Sequence, residues 1–286
     1  MRSFNRARLP AMTAVSCALL AFSTLAAAKP TLFPKLKSSS VLIVDQSDST
    51  VLYSRRSDVA APIASITKLM TALVVLDAKQ PLDEPIAITQ QEAMLPKTRG
   101  SRLSVGTVLT RGDLMHLALM SSENRAAHAL GANYPGGVPA IVKAMNLKAA
   151  ALGMTTAQFV DPTGLSSDNV ASPEDLSKLV LAAAQNAHIR EYSTDPSYAV
   201  RVRKHLVEFH NTDNLVKNPT WNIIVQKTGY IAEAGKCLVM AAVIEGRSVV
   251  IVLLDSFGKY TRVADAQRIK TWMASSSNPR FQVSIR

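Results

Sequence analysis

Cysteine is almost missing from this chain, with two among 286 residues, Cys17 and Cys237. A fold stapled by internal disulfides is excluded. Acidic residues are also short: 21 Asp and Glu stand against 32 Lys and Arg, a formal charge of +11. The excess is spread out, and no basic run carries interleaved aromatics, so nucleic acid is not an expected partner. Outside the cytoplasm, an anionic polymer or a membrane surface suits such a charge better. No His-Glu-x-x-His, no Gly-x-Ser-x-Gly and no phosphate loop occurs. Zinc-peptidase, strand-elbow hydrolase and nucleotide chemistries therefore have no footing. His205 and His210 are five apart, which suits one face of neither a helix nor a strand. His116, His128 and His188 fall inside helical patterns and read as structural. Neither a metal nor another cofactor is expected.

What is present begins with an export segment. Arg2, Arg6 and Arg8 make a basic start, Ala11 to Leu25 is apolar, and Ala26-Ala27-Ala28 supplies the small residues of a cleavage site. The apolar run is too short and too dotted with Ser and Thr for a membrane span. Ala14-Val15-Ser16 is a poor context for attaching a lipid at Cys17. A mature chain starting at Lys29 loses three arginines and no acid, so +11 falls to +8. Its single thiol, Cys237, sits in an apolar run and reads as buried and inert.

Residues 29–39 read as a loose leader. Ser40 to Asp45 and Val51 to Ser54 are strand-like, joined across Gln46–Thr50 as a hairpin. Helix formers run from Leu69 to Ala78. From Asp83 to about Leu215 strand signals are sparse and helices dominate. Thr110 caps one to Met120, a second covers Asn124 to Leu130, and a third, Val138 to Leu152, closes at Gly153. Ser172-Pro173-Glu174-Asp175 starts a fourth, to about Ala187. Strands return at Ile223–Lys227, Cys237–Ile244 and Ser248–Asp255, before a helix over Tyr260–Met273 and a frayed end. The order implies an α/β (α+β) fold: one antiparallel sheet built from both ends of the mature chain and flanked by helices, with an inserted all-helical subdomain at about 83–215.

Three short motifs could carry chemistry. Ser65 precedes Lys68 by three residues at a helix start, which puts hydroxyl and amine on one face, one turn apart. A neutral amine there can take the proton that makes a serine nucleophilic. Alone, the pattern also describes an N-cap followed by a surface lysine, and Ser256-Phe257-Gly258-Lys259 repeats it. Met120-Ser121-Ser122-Glu123-Asn124 lies between two expected helices, where a loop can present side chains. Lys227-Thr228-Gly229 ends a strand, and Gly229 permits close backbone approach.

Ser65-x-x-Lys68, Ser122-x-Asn124 and Lys227-Thr228-Gly229, in that order, resemble the motifs of the penicillin-recognising serine hydrolases. Gly100-Ser101-Arg102-Leu103, Asp161-Pro162-Thr163-Gly164-Leu165 and Ala234-Gly235 are similar to stretches of the D-alanyl-D-alanine peptidases, above all their short endopeptidase branch. A literal Ser167-Asp168-Asn169 and a looser Ser276-Ser277-Asn278 compete for the second motif. Ser122 is preferred for its interhelical loop, whereas Ser167 follows an aspartate-proline turn that leads into a helix. The resemblance implies Ser65 as nucleophile, Lys68 as base and Ser122 as proton relay. Asn124, Lys227, Thr228, Gly229 and Tyr230 would bind substrate, with the Ser65 and Tyr230 N–H groups forming the oxyanion hole. Lys68 must then titrate well below the ordinary lysine value of about 10.4. Burial and a second cation, Lys227, are the expected causes. Glu123 is expected to face solvent, and Arg125 to support either the helix or substrate charge.

The resemblance implies a periplasmic serine D,D-endopeptidase cutting D-Ala cross-links of peptidoglycan, with β-lactams as covalent inhibitors and a possible peripheral association with membrane or wall. The carboxypeptidase reading shares the chemistry. Typical carboxypeptidases of the family add a C-terminal β domain and an anchor helix, and this chain stops soon after Met273. A β-lactamase is disfavoured: the deacylating Glu-x-x-Leu-Asn stretch is absent, and Glu174 is followed by Asp175-Leu176-Ser177. A wall-binding or antibiotic-sensing module is disfavoured by the completeness of the motifs.

Overall fold

The computed structural model describes residues 33–96 and 101–275. The export segment expected at 1–28, Gly100 and the Ser276-Ser277-Asn278 alternative lie outside the described residues. Strands β1 (Ser38–Asp45) and β2 (Val51–Arg55) form the expected hairpin, and β3 (Ala61–Pro62) leads through a 3-10 turn, Ala64–Ile66, into α1 (Thr67–Asp77). The middle of the chain holds β4 (Pro85–Ala87), α2 (Gln90–Met94), β5 (Val108–Thr110), α3 (Arg111–Met120), α4 (Asn124–Ala132), α5 (Gly137–Ala151), β6 (Val170–Ala171), α6 (Pro173–Ala184), α7 (Ala187–Thr194), β7 (Ser197–Val202) and β8 (His205–His210). A second 3-10 turn, Asn214–Lys217, precedes β9 (Asn222–Ile231), β10 (Gly235–Ile244), β11 (Arg247–Ser256) and α8 (Thr261–Ser275).

Both ends of the described chain build one antiparallel sheet in the order β2-β1-β11-β10-β9, so β9 is an edge. The unbroken apolar run Val249–Leu254 of β11 requires cover on both faces, because alternate side chains point opposite ways. Val250, Val252 and Leu254 pack with α1 and α6 residues such as Leu69, Leu176 and Leu179. Ile251 and Leu253 pack with Ala266, Ile269 and Trp272 of α8. The buried Asp265 carboxylate ties α8 to the start of β1, accepting from the Lys37 N–H at 2.9 Å and the Ser38 N–H at 2.7 Å.

The predicted caps are made. Thr110 and Asp113 form a reciprocal capping box, and the Ser172 side chain accepts from the Asp175 N–H with Pro173 in the first turn. Helix α6 stops at Ala184, short of Ala187, because Asn186 turns its side chain to cap α7. The middle segment is mainly helical, and it also carries two-stranded ribbons that sequence reasoning did not foresee, β4–β5 and β7–β8. Helix α6, within the expected insert, packs on the main sheet. Among the described residues no helix is long and apolar enough to cross a membrane.

Candidate active site

Ser65 sits in the 3-10 turn that opens α1, and its neighbour Ala64 has φ +48°, a left-handed conformation for a residue with a Cβ. Such strain costs on the order of 1 kcal/mol or more and needs outside support. The Ile63 N–H donates to the Asn169 carbonyl at 3.0 Å, and the Thr67 hydroxyl donates to the Ala64 carbonyl at 2.7 Å. Two glycines close on the same turn. A Cβ on Gly164 would stand 2.0 Å from the Ala64 oxygen, and one on Gly229 would stand 2.8 Å from the Ile63 oxygen and 3.3 Å from the Ser65 nitrogen. Bare backbone is therefore required at both places.

Lys68 is buried, 1% exposed, which removes the surface-lysine reading of the Ser-x-x-Lys pattern. Its Nζ reaches three oxygens: Ser65 Oγ at 2.8 Å, Asn124 Oδ1 at 2.7 Å and the Thr163 carbonyl at 2.6 Å. A carbonyl and an amide oxygen can only accept. In a neutral amine they take both N–H groups, and the lone pair is left for the Ser65 hydroxyl. Burial draws the Lys68 pKa down to about 7, against the raising influence of Asp161 and then Glu123. A free-base fraction then exists near neutrality, as a general base requires.

The second motif is the loop between α3 and α4. Ser122 holds φ +59°. Among the described residues its hydroxyl makes no hydrogen bond, so it is free for a ligand. Asn124 opens α4 and spans to Lys68. Glu123 is half-buried and caps α4, accepting from the Arg125 N–H at 3.1 Å and the Ser101 hydroxyl at 2.9 Å. The Arg125 guanidinium donates to the Leu103 carbonyl at 2.6 Å, so it braces the loop around Leu103 against the start of α4. Glu123 is thus a structural cap rather than a solvent-facing side chain.

The third motif lies on the edge strand β9. Lys227 is fully buried and donates to the Thr228 carbonyl at 2.9 Å. Its pKa is held well below the ordinary lysine value by burial, then by the charges of Lys68 and Arg262. The second cation expected to lower Lys68 acts the other way here: Lys68 lowers Lys227, whereas burial is what lowers Lys68. Asp213, buried nearby, is pushed up by desolvation against the pull of the Leu215 N–H, Arg262 and Lys227. The Arg262 guanidinium, reaching from α8, donates to the Gly229 carbonyl at 2.8 Å and fixes the strand end. Tyr230 follows and is 59% exposed.

Sequence reasoning missed the loop 161–169 as part of the site. It noted Asp161-Pro162-Thr163-Gly164-Leu165 as familiar without giving it a role. That loop supplies the third oxygen around Lys68 and the bare backbone against Ser65. The competing Ser167-Asp168-Asn169 lies in it, with Asn169 supporting Ile63 through its carbonyl. The second Ser-x-x-Lys is structural: Ser256 is buried with its hydroxyl 2.7 Å from that of Ser38, and exposed Lys259 lies over the Tyr260 ring. Cys237 is buried, as expected, and burial pushes its thiol up to about 11. Among the described residues no group of three or more His, Cys, Asp or Glu could hold a metal ion.

A hydroxyl, a largely desolvated amine and close backbone donors, arranged this way, can perform acyl transfer through a serine ester. The comparisons agree. The chain is 51% identical to a D-alanyl-D-alanine endopeptidase of Pseudomonas aeruginosa, over 84% of this chain and 78% of that one. It is 44% identical to a D-alanyl-D-alanine endopeptidase of Escherichia coli, over 93% and 86%. A crystal structure of a Streptomyces DD-transpeptidase superposes with TM-score 0.77 at 26% identity, covering 84% of this chain and 97% of that one. The D-alanyl-D-alanine carboxypeptidase of Mycobacterium tuberculosis gives 0.79 at 28%, covering 90% and 97%. The family model described as D-alanyl-D-alanine carboxypeptidase matches residues 24–258, and the chain belongs to that family.

Proposed function

We propose that this protein is a periplasmic serine D,D-endopeptidase that opens D-Ala cross-links of peptidoglycan. Lys68 takes the Ser65 proton as Oγ attacks the D-Ala carbonyl. The C–N bond breaks, and the amine leaves with a proton relayed by Ser122. Water then hydrolyses the serine ester and regenerates both groups. The Ser65 and Tyr230 N–H groups receive the developing oxyanion. Asn124 engages the substrate backbone, and Lys227 and Thr228 hold its carboxylate beside Gly229. The observation that carries this reading is the 2.8 Å contact of Lys68 Nζ with Ser65 Oγ while two acceptors occupy its N–H groups.

Penicillin places a reactive amide where the D-Ala carbonyl goes, so a β-lactam is a covalent inhibitor. Residues 1–28 direct export and are removed near Ala28. The mature chain, with its basic excess, associates with the wall or the membrane surface from the outside.

The identities to two endopeptidases favour cross-link cleavage. The family description favours a second reading, removal of a terminal D-Ala. Digestion of purified sacculi by the mature protein and by Ser65→Ala, with products weighed by mass spectrometry, separates them. Muropeptide dimers converted to monomers by the wild type alone support the endopeptidase. Loss of terminal D-Ala with dimers intact supports the carboxypeptidase. No Ser65-dependent product from folded protein overturns both.

A further inference from the structure

The Lys68 lone pair points at Ser65 only while the Thr163 carbonyl takes one of the amine's protons. A loop carbonyl stays where the loop is held, and within this loop the Asp161 side chain makes the bonds that surround Thr163. Asp161 Oδ1 accepts from the Thr163 N–H at 2.6 Å, the Thr163 hydroxyl at 2.6 Å and the Gly164 N–H at 2.8 Å. Its Oδ2 accepts from the Ser166 N–H at 3.0 Å and Asn169 Nδ2 at 2.6 Å. Five donors saturate a carboxylate, which has about four lone-pair sites. Burial works against its charge, but these bonds outweigh it and keep the Asp161 pKa below the ordinary value.

The bonds set three consecutive residues against the catalytic helix. The Pro162 carbonyl accepts from the Thr71 hydroxyl at 2.7 Å. The Thr163 carbonyl accepts from Lys68 at 2.6 Å. Gly164, at φ +80°, lies bare against the Ala64–Ser65 peptide. Asp161 itself bonds neither Ser65 nor Lys68.

We propose that Asp161 is a positioning residue for the serine–lysine pair: its carboxylate fixes the Thr163 carbonyl and so decides where the Lys68 lone pair points. The inference rests on Lys68 being the base. The negative charge of the carboxylate also acts on the amine from beyond bonding distance and helps Lys68 keep its proton. Geometry and charge therefore leave different marks.

The test uses Asp161→Asn, with Asp168→Asn as control, since Asp168 is exposed on the same loop. The carboxamide oxygen can replace Oδ1, but its NH2 meets the Ser166 and Asn169 donors. Acylation by labelled penicillin, per folded site, should slow by about 10- to 100-fold, the scale of a misplaced reacting group. The apparent affinity of the first encounter should stay the same. Independently, 13C NMR of lysine-labelled free protein, assigned with Lys68→Arg, should show Lys68 titrating at lower pH than in the wild type. Wild-type rates and an unmoved Lys68 titration would overturn the proposal, as would a rate loss that vanishes once the folded fraction is counted. If Asp161→Asn does not fold, Thr163→Val removes the hydroxyl's bond to Asp161, with the one it accepts from the Leu165 N–H at 3.1 Å, and keeps the charge; a several-fold slower acylation with unmoved Lys68 supports the proposal, and a wild-type rate overturns it. Should penicillin not acylate the wild type at all while the Asn variant still moves the Lys68 titration, the proposed function fails and the coupling of Asp161 to Lys68 stands.

Discussion

The hydroxyls of Thr212 and Thr228 meet at 2.6 Å, and the Thr212 N–H donates to the Met120 carbonyl at 3.1 Å. Met120 ends α3, directly before the Ser121-Ser122 loop, whereas Thr228 lies on the sheet edge. One residue thus ties the loop of the second motif to the strand of the third. Thr212→Val removes the hydroxyl and leaves the backbone bond. Because Thr212 is exposed, the loss in stability should stay below about 1 kcal/mol. The Thr228 hydroxyl loses its fixed direction, so KM for a D-Ala-terminated peptide should rise about two- to tenfold with kcat little changed. Thr212→Ser should restore it. Steady-state kinetics of the three proteins check this.

Gly164→Ala should slow acylation by about a hundredfold. The added methyl would stand 2.0 Å from the Ala64 oxygen, so the Ser65 turn must move. A displacement of about 1 Å in a reacting group costs on the order of a hundredfold. Gly106 has the similar φ of +82° but open space around it, so Gly106→Ala carries the backbone strain without the collision. Penicillin-labelling rates of the pair, with thermal melts as a measure of folding, separate collision from strain.

The pH dependence has a defined sign. Lys68 acts as a base only when neutral, and burial brings its pKa to about 7. Acylation should therefore rise with pH through about 7 and level off above. Lys68→Arg should show no such limb and almost no acylation, because a guanidinium keeps its proton. Folding follows the same linkage. Between the folded value near 7 and the unfolded value of 10.5, the unfolded chain binds the extra proton, so Lys68 makes stability increase with pH across that window. Acylation rates and urea midpoints measured from pH 5.5 to pH 9 check both.

Cys237 is buried on β10, and burial raises its thiol to about 11. Thiolate is the reactive form. Iodoacetamide at pH 8 should therefore leave the folded protein unmodified and alkylate it in denaturant. Mass spectrometry of the intact mature chain reads this directly.

How much of this could be read from sequence depends on the range of the interactions involved. Ser65 and Lys68 are one helical turn apart, so their contact follows from local geometry. The strands of the sheet announce themselves by apolar runs, and the helix starts by Thr110 and Ser172. Ribbon β7–β8 gave no signal because its two-residue turn, Arg203-Lys204, holds Arg203 at φ +53° without glycine or asparagine. The ribbon was hidden by turn chemistry that usually requires those residues. The loop 161–169 escaped for another reason: its role lies in a main-chain oxygen, Thr163, meeting an amine 95 residues away in sequence. No side-chain motif marks a carbonyl. Thr212 escaped for a related cause, since its partners Met120 and Thr228 belong to α3 and β9, far apart in sequence. Burial of Lys68 follows from the chemistry asked of it, but its completeness, and the burial of Lys227, depend on packing by distant segments.

Everything turns on whether the Ser65 oxygen becomes an ester. The decisive measurement is peptide mapping by mass spectrometry after brief exposure of the mature protein to penicillin. The expected result is one stoichiometric adduct on the peptide containing Ser65, slow to release, and missing from folded Ser65→Ala. An adduct on another residue, or none on folded wild type at a pH where Lys68 is neutral, would contradict the account.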